Sequence, residues 1–115
     1  MLYKGSCHCG NVTYEVEGEI ESVMDCNCSM CQRKGALLWF VARDKFRLTS
    51  PEKNSSEYLF NHQVIHHRFC STCGIHPYAV GTGPGGQPMA AINVRCLEGV
   101  EPEGFKVVHI DGRSR

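Results

Sequence analysis

The sequence predicts a mainly β protein of short strands held together by bound metal. Three observations carry this. Apolar and polar residues alternate over short runs, and no stretch sustains a 3.6-residue period through three helical turns. Eight cysteines stand among 115 residues, and seven of them fall into the tight groups 7/9, 26/28/31 and 70/73. A chain of this length can bury a core, but not a generous one, so sheets cut this often by cysteine turns need staples.

The elements follow in order. "NVTYEVEG" at 11–18 sets Val12, Tyr14 and Val16 against Thr13, Glu15 and Glu17, the pattern of a half-buried strand stopped at Gly18. A short helical turn is expected over Gln32 to Gly35. "LLWFVA" at 37–42 reads as a more fully buried strand, with Trp39 and Phe40 in the core. "SEYLFN" at 56–61 and "QVIHHRF" at 63–69 are further strands, joined as a hairpin through Asn61 and His62. His66 and His67 point to opposite faces of theirs, so at most one faces the site. "GTGPGGQP" at 81–88 is a flexible loop by composition, and without a GKS or GKT ending it is a weak phosphate loop. "PMAAINVRC" at 88–96 is a strand with Asn93 and Arg95 on one face and Cys96 on the other, Arg95 being a candidate for a buried ion pair. "FKVVHI" at 105–110 is the last. Nothing divides the chain, and residues 1–115 are expected to form a single zinc-binding domain.

Twelve basic and twelve acidic residues balance, which argues against general nucleic-acid binding. The signs are not evenly spread. Residues 11–25 carry five acids and no base, whereas Arg33, Lys34, Arg43, Lys45, Arg47 and Lys53 face only Asp44 and Glu52 in 33–53. These are either solvated faces or, for the second, a basic rim beside Cys31 that attracts a small anion. The longest apolar run, "ALLWFVA", is too short to cross a bilayer, so no membrane partner is expected. No apolar leader follows Met1, and the expectation is a reducing, cytoplasmic setting where clustered cysteines bind metal or catalyse. The mature form of a secreted disulfide protein is the alternative.

The C-x-C pair Cys7/Cys9 and the C-x-x-C pair Cys70/Cys73 together make four thiolates, the common closed site for structural zinc. The glycine after each pair relieves crowding where the backbone curls toward sulfur. Closing the loop between the pairs costs roughly 3–5 kcal/mol of entropy, which a structural zinc offsets. Ordinary buried thiols, or a redox pair at Cys70 and Cys73, are the alternatives. Cys26, Cys28 and Cys31 remain, and an odd number of thiolates leaves one corner of a tetrahedron for water or substrate. His76 or Cys96 would close that corner and make a second staple. A zinc on three thiolates is soft and carries a net charge of about −1, so it suits binding a thiol better than activating water.

Several stretches together resemble the glutathione-dependent formaldehyde-activating enzymes, a family that includes centromere-protein-V-like proteins. They are "GSCHCGNVTYE" at 5–15, "CNCSMCQRKG" at 26–35, "HRFCSTCGIHPY" at 67–78, "INVRCLEG" at 92–99 and "HIDGR" at 109–113. The resemblance implies an Mss4-like β-tent of short antiparallel strands pinned by two zinc ions. Cys7, Cys9, Cys70 and Cys73 would hold the structural zinc, and Cys26, Cys28 and Cys31 the catalytic or labile one. It also implies a carbon–sulfur lyase activity that joins glutathione, as the partner thiol, to formaldehyde, giving S-(hydroxymethyl)glutathione. Because Mss4-like folds also serve as partners of other proteins, a non-enzymatic, zinc-stapled binding or structural module is the second reading. Around the site, Arg33 and Lys34 are candidates to neutralise the metal centre or grip a substrate carboxylate. His76 is the candidate for substrate binding or proton transfer, and Ser29 and Gln32 for hydrogen bonds to the thiolates. Cys96 is read as a lone buried thiol.

Overall fold

The computed structural model describes residues 1–59 and 65–114. Its elements are β1 (Leu2–Ser6), β2 (Thr13–Glu17), β3 (Ser22–Cys26), the helix α1 (Ser29–Lys34), β4 (Leu38–Ala42), β5 (Phe46–Leu48) and β6 (Ser55–Tyr58), followed by β7 (Ile65–Cys70), β8 (Tyr78–Thr82), β9 (Pro88–Asn93) and β10 (Lys106–Ile110). Two sheets result, one in the order β1-β2-β5 and the other β10-β3-β4-β9-β8-β7-β6.

The alternation at the start of the chain places the core. Val12, Tyr14 and Val16 are buried while Glu17 is exposed. Their side chains meet the inner face of the large sheet, where Trp39, Val41, Tyr78 and Ile92 belong to the same buried cluster. Aromatic rings bind the two layers, with centroids 5.7 Å apart for Tyr14 and Tyr78 and 4.6 Å apart for Phe46 and Tyr78. The Tyr14 hydroxyl finds its partner across the core, donating to the Pro77 carbonyl at 3.2 Å. The fold is thus mostly β, with an open large sheet leaning on a small one, as in an Mss4-like β-tent.

Several elements differ from those the sequence pattern predicts. The helix begins at Ser29, because the Cys28 sulfur accepts the Cys31 N–H and caps it, and Gly35 lies past its end at φ 70°. Trp39 is core, but Phe40 is 44% exposed, since neighbours on β4 point to opposite faces. β9 stops at Asn93, whose side chain accepts the Arg95 N–H and turns the chain into a short 3-10 segment at Val94–Cys96. Asn93 and Arg95 therefore do not share a strand face, and Arg95 is exposed. The glycine-rich loop shrinks at both ends, because Thr82 already pairs with Pro88. β6 and β7 pair antiparallel from Ser55 opposite Cys70 to Tyr58 opposite His67, while the turn expected at Asn61 and His62 lies outside the described residues. Not all pairings are antiparallel: β10 runs parallel to β3, which the long connection between them permits.

Candidate metal centres

The first centre joins the end of β1 to the end of β7. Cys7 and Cys9 Sγ stand 3.6 Å apart, Cys9 and Cys70 Sγ 3.5 Å apart, and all four sulfurs including that of Cys73 lie within 4.8 Å of one another. Four thiolates around one zinc would stand about 3.8 Å apart, so this donor set fits the metal. Backbone amides already serve the sulfurs: the Val12 N–H points at Cys7 Sγ, and those of Thr72 and Cys73 at Cys70 Sγ, at 3.3–3.4 Å. The turns that aim them need left-handed glycines, Gly10 at φ 87° and Gly74 at φ 81°. The N–H groups of Ile75 and Cys9 hold the Cys73 thiol down at about 6. The N–H of Asn11 favours the Cys9 thiolate, yet burial and the neighbouring sulfurs of Cys70, Cys7 and Cys73 push it up to about 11. Sulfurs this crowded cannot all ionise without a cation between them.

The second centre sits where β3 runs into α1. Cys26 ends the strand, Cys28 caps the helix, Cys31 lies in its first turn, and the three sulfurs are within 4.8 Å of one another. No histidine, cysteine or carboxylate among the described residues joins them as a fourth donor at that spacing. His76 and Cys96, the two candidates for that corner, both stand outside the group. Burial, then the Cys28 sulfur and the Cys26 and Cys28 charges, push the Cys31 thiol up to about 12, while the Lys34 charge pulls the other way.

The segment after β10 closes one side. The Cα of Gly112 lies so near that a Cβ there would meet Cys26 Sγ at 2.6 Å and Cys28 Cβ at 3.1 Å. Asn27 holds this strap by donating from Nδ2 to Asp111 Oδ1 at 3.1 Å and accepting the Arg113 N–H at 2.9 Å. Arg113 also donates to Gln32 Oε1, so Gln32 bonds the strap rather than a thiolate. Sequence reasoning did not single out Asn27, Gly112 or Arg113 as site residues. The "DG" within "HIDGR" was the available signal, a turn placed straight after a strand.

The three cysteines open into a cavity of about 800 Å³, lined also by Ser29, Lys34, His67 and Arg113. Of the adjacent histidines, His67 faces this cavity, while His66 turns away and its Nδ1 meets Glu57 Oε1 at 2.9 Å. Burial, then the Lys34 and His76 charges, pull His67 down to about 4, so it is neutral near pH 7. A recess of about 320 Å³ lies beside this cavity and shares Lys34 with it. Arg33, His76 and Asn93 line the recess, and the Asn93 amide donates to the His76 carbonyl at 3.1 Å. The buried Nδ1 of His76 has no hydrogen-bond partner among the described residues. Burial lowers the Lys34 ammonium, and the facing thiols of Cys31, Cys28 and Cys96 push it back up.

Fold and cysteine geometry define a β protein with two thiolate clusters that can each hold a metal ion. Residues 2–108 match the glutathione-dependent formaldehyde-activating enzymes, and the chain belongs to that family. It is also similar to a Rhodobacter sphaeroides protein solved by crystallography as a structural genomics target. The two are 33% identical with a TM-score of 0.79, over 90% of this chain and 97% of that one. No helix among the described residues is long and apolar enough to cross a membrane.

Proposed function

We propose that the protein is a two-zinc enzyme of thiol–aldehyde adducts, a carbon–sulfur lyase with glutathione and formaldehyde as the reference pair. One observation carries this reading: three convergent thiolates, with no fourth donor among the described residues, open onto a cavity. Cys7, Cys9, Cys70 and Cys73 would hold the structural ion, and Cys26, Cys28 and Cys31 the reactive one. Zinc on three thiolates supplies a soft site that favours a further sulfur ligand in its thiolate form.

The rest falls to the protein's own groups. Lys34 and Arg113 offset the negative charge that gathers when another thiolate joins the three. Neutral His67 is placed to take the thiol proton at its ring nitrogen and return it to the hydroxyl oxygen of the adduct. Arg33, His76 and Asn93 form the recess suited to a carboxylate of the thiol substrate. Addition of thiols to formaldehyde proceeds readily on its own, so the gain lies in holding the reactants together. Because the zinc centres would need reduced thiols, the reading places the protein in a cytoplasmic setting.

Cobalt-substituted protein tests it. Titrated glutathione should change the thiolate-to-cobalt bands, and a Cys28→Ser variant should lose that response. Exchange spectroscopy at equilibrium should then show interconversion faster than the spontaneous background. Bands unmoved by millimolar thiol would instead support the non-enzymatic, zinc-stapled module.

A further inference from the structure

The outer face of the large sheet has a level row across four strands. Phe40 on β4 stands opposite Ala91 on β9, Ala91 opposite Ala79 on β8, and Ala79 opposite His67 on β7. Opposed residues share a face, so two methyl groups rise between a phenyl ring and an imidazole. The result is a trough with Ala91 half-open on its floor, Ala79 and His67 nearly covered beside it at 3% and 4% exposure, and Phe40 and Ile65 on its walls. It belongs to the same cavity as Cys26, Cys28 and Cys31. Phe40 and Ile65 are each 44% exposed, large apolar groups held out of the core. The charged groups of this lining are confined to the cysteine end: Lys34 follows Cys31 on α1, and Arg113 is tied to α1 through Gln32.

A one-carbon aldehyde has no alkyl chain to cover the trough, and an apolar wall contributes only when apolar surface covers it. The charged body of a peptide thiol has a place elsewhere, in the recess with Arg33 and Asn93. We propose that the carbonyl half of the adduct is an alkyl aldehyde of several carbons, its chain lying over Ala79 and Ala91 against Phe40. This rests on the thiol–aldehyde reading above. In the reaction the sulfur forms a bond to the carbonyl carbon, the C=O π bond opens, and the thiol proton passes to that oxygen. Nothing is oxidised or reduced, and the reverse step returns thiol and aldehyde.

The test uses the full chain loaded with zinc. Exchange spectroscopy compares formaldehyde, butanal and hexanal with glutathione, and 1-hexanol serves as an unreactive probe of the Ala79 and Ala91 methyl resonances. Apparent affinity should rise about fourfold per added methylene, and hexanol should shift both methyls. Ala91→Leu, which raises the floor, should abolish that gain while formaldehyde exchange persists. Phe40→Ser, at an exposed site, should weaken it without unfolding the protein. Equal exchange of formaldehyde and hexanal, with methyls unmoved by hexanol, overturns the proposal and leaves the adduct reading standing. Hexanol binding with no exchange of any aldehyde supports an alkyl-binding trough and rejects the adduct reading. Methyl shifts that respond to dilution but not to hexanol give this face to a second copy of the chain, which also overturns the proposal.

Discussion

At the scale of single residues, Gly112 and His67 decide most at the three-cysteine centre. A methyl group at Gly112 would sit 2.6 Å from Cys26 Sγ, too close for any real contact. Gly112→Ala should therefore push the strap off the cysteines, cost about 1–3 kcal/mol, and speed metal release from this centre alone. Transfer of zinc to a chromophoric chelator would show one accelerated phase and one unchanged, whereas two unchanged phases would refute the contact. His67 carries a pH signature. Its folded value near 4 is below the ordinary 6.5, so protonation favours the unfolded chain. The associated stability is whole above about pH 6.5 and drains away as pH falls through about 4. His67→Gln should lack this loss, since glutamine does not titrate. Thermal melts of both proteins between pH 7.5 and 4.5 measure the difference, in which loss of metal common to both cancels; parallel curves would reject the assignment.

At the scale of elements, α1 shows how metal ligation and local structure are one device. The helix has only six residues, too short to be stable by propensity, and its start is held by the Cys28 sulfur accepting the Cys31 N–H. The same sulfur is a candidate metal donor, so loading the centre would support the helix and forming the helix would support the centre. The strap after β10 is held to this element by Asn27, which bonds it at both ends of one amide. Asn27→Ala removes both bonds, each worth about 1 kcal/mol. Hydrogen exchange at the Arg113 amide should rise sharply while the amides of β4 and β9 stay protected. An unchanged Arg113 rate would mean that β10 pairing with β3 is enough to hold the strap.

At the scale of the whole molecule, the two centres differ in what they tie. The first connects residues 61 apart and clamps the small sheet to the large one, with Cys7 and Cys70 buried in the common core. The second links the end of β3 to the helix that follows directly. Cys70→Ser should therefore unfold or badly destabilise the protein, since metal binding there is folding energy. Cys28→Ser should keep the sheets and loosen one ion. Circular dichroism and melting curves separate the two outcomes, and equal destabilisation would sink the distinction. Native mass spectrometry of metal-replete protein should count two zinc ions, and a single ion with Cys26, Cys28 and Cys31 free would defeat the two-centre scheme.

The Cys7/Cys9 and Cys70/Cys73 pairs and the group Cys26, Cys28 and Cys31 were legible in the sequence, because within each the donors stand two or three positions apart and the local turn dictates their geometry, whereas bringing the two pairs together was left to the fold. The strand at 13–17 was legible for a like reason: its alternation is a property of the run itself. β1, β3, β5 and β8 were not, being three to five residues long and stabilised by their partners more than by any pattern of their own. Nor could Phe40 be told from Trp39, since two adjacent aromatics on one strand differ only in which face the opposite sheet covers. Choosing between His66 and His67, setting Gly112 onto Cys26, and lining Ala79 and Ala91 between Phe40 and His67 all required strand register. Register is settled by pairings between distant segments, and a shift of one residue would exchange the cavity face for the core. Which cysteines can gather around a metal was thus largely written in local spacing, and what surrounds them was decided by the tertiary fold.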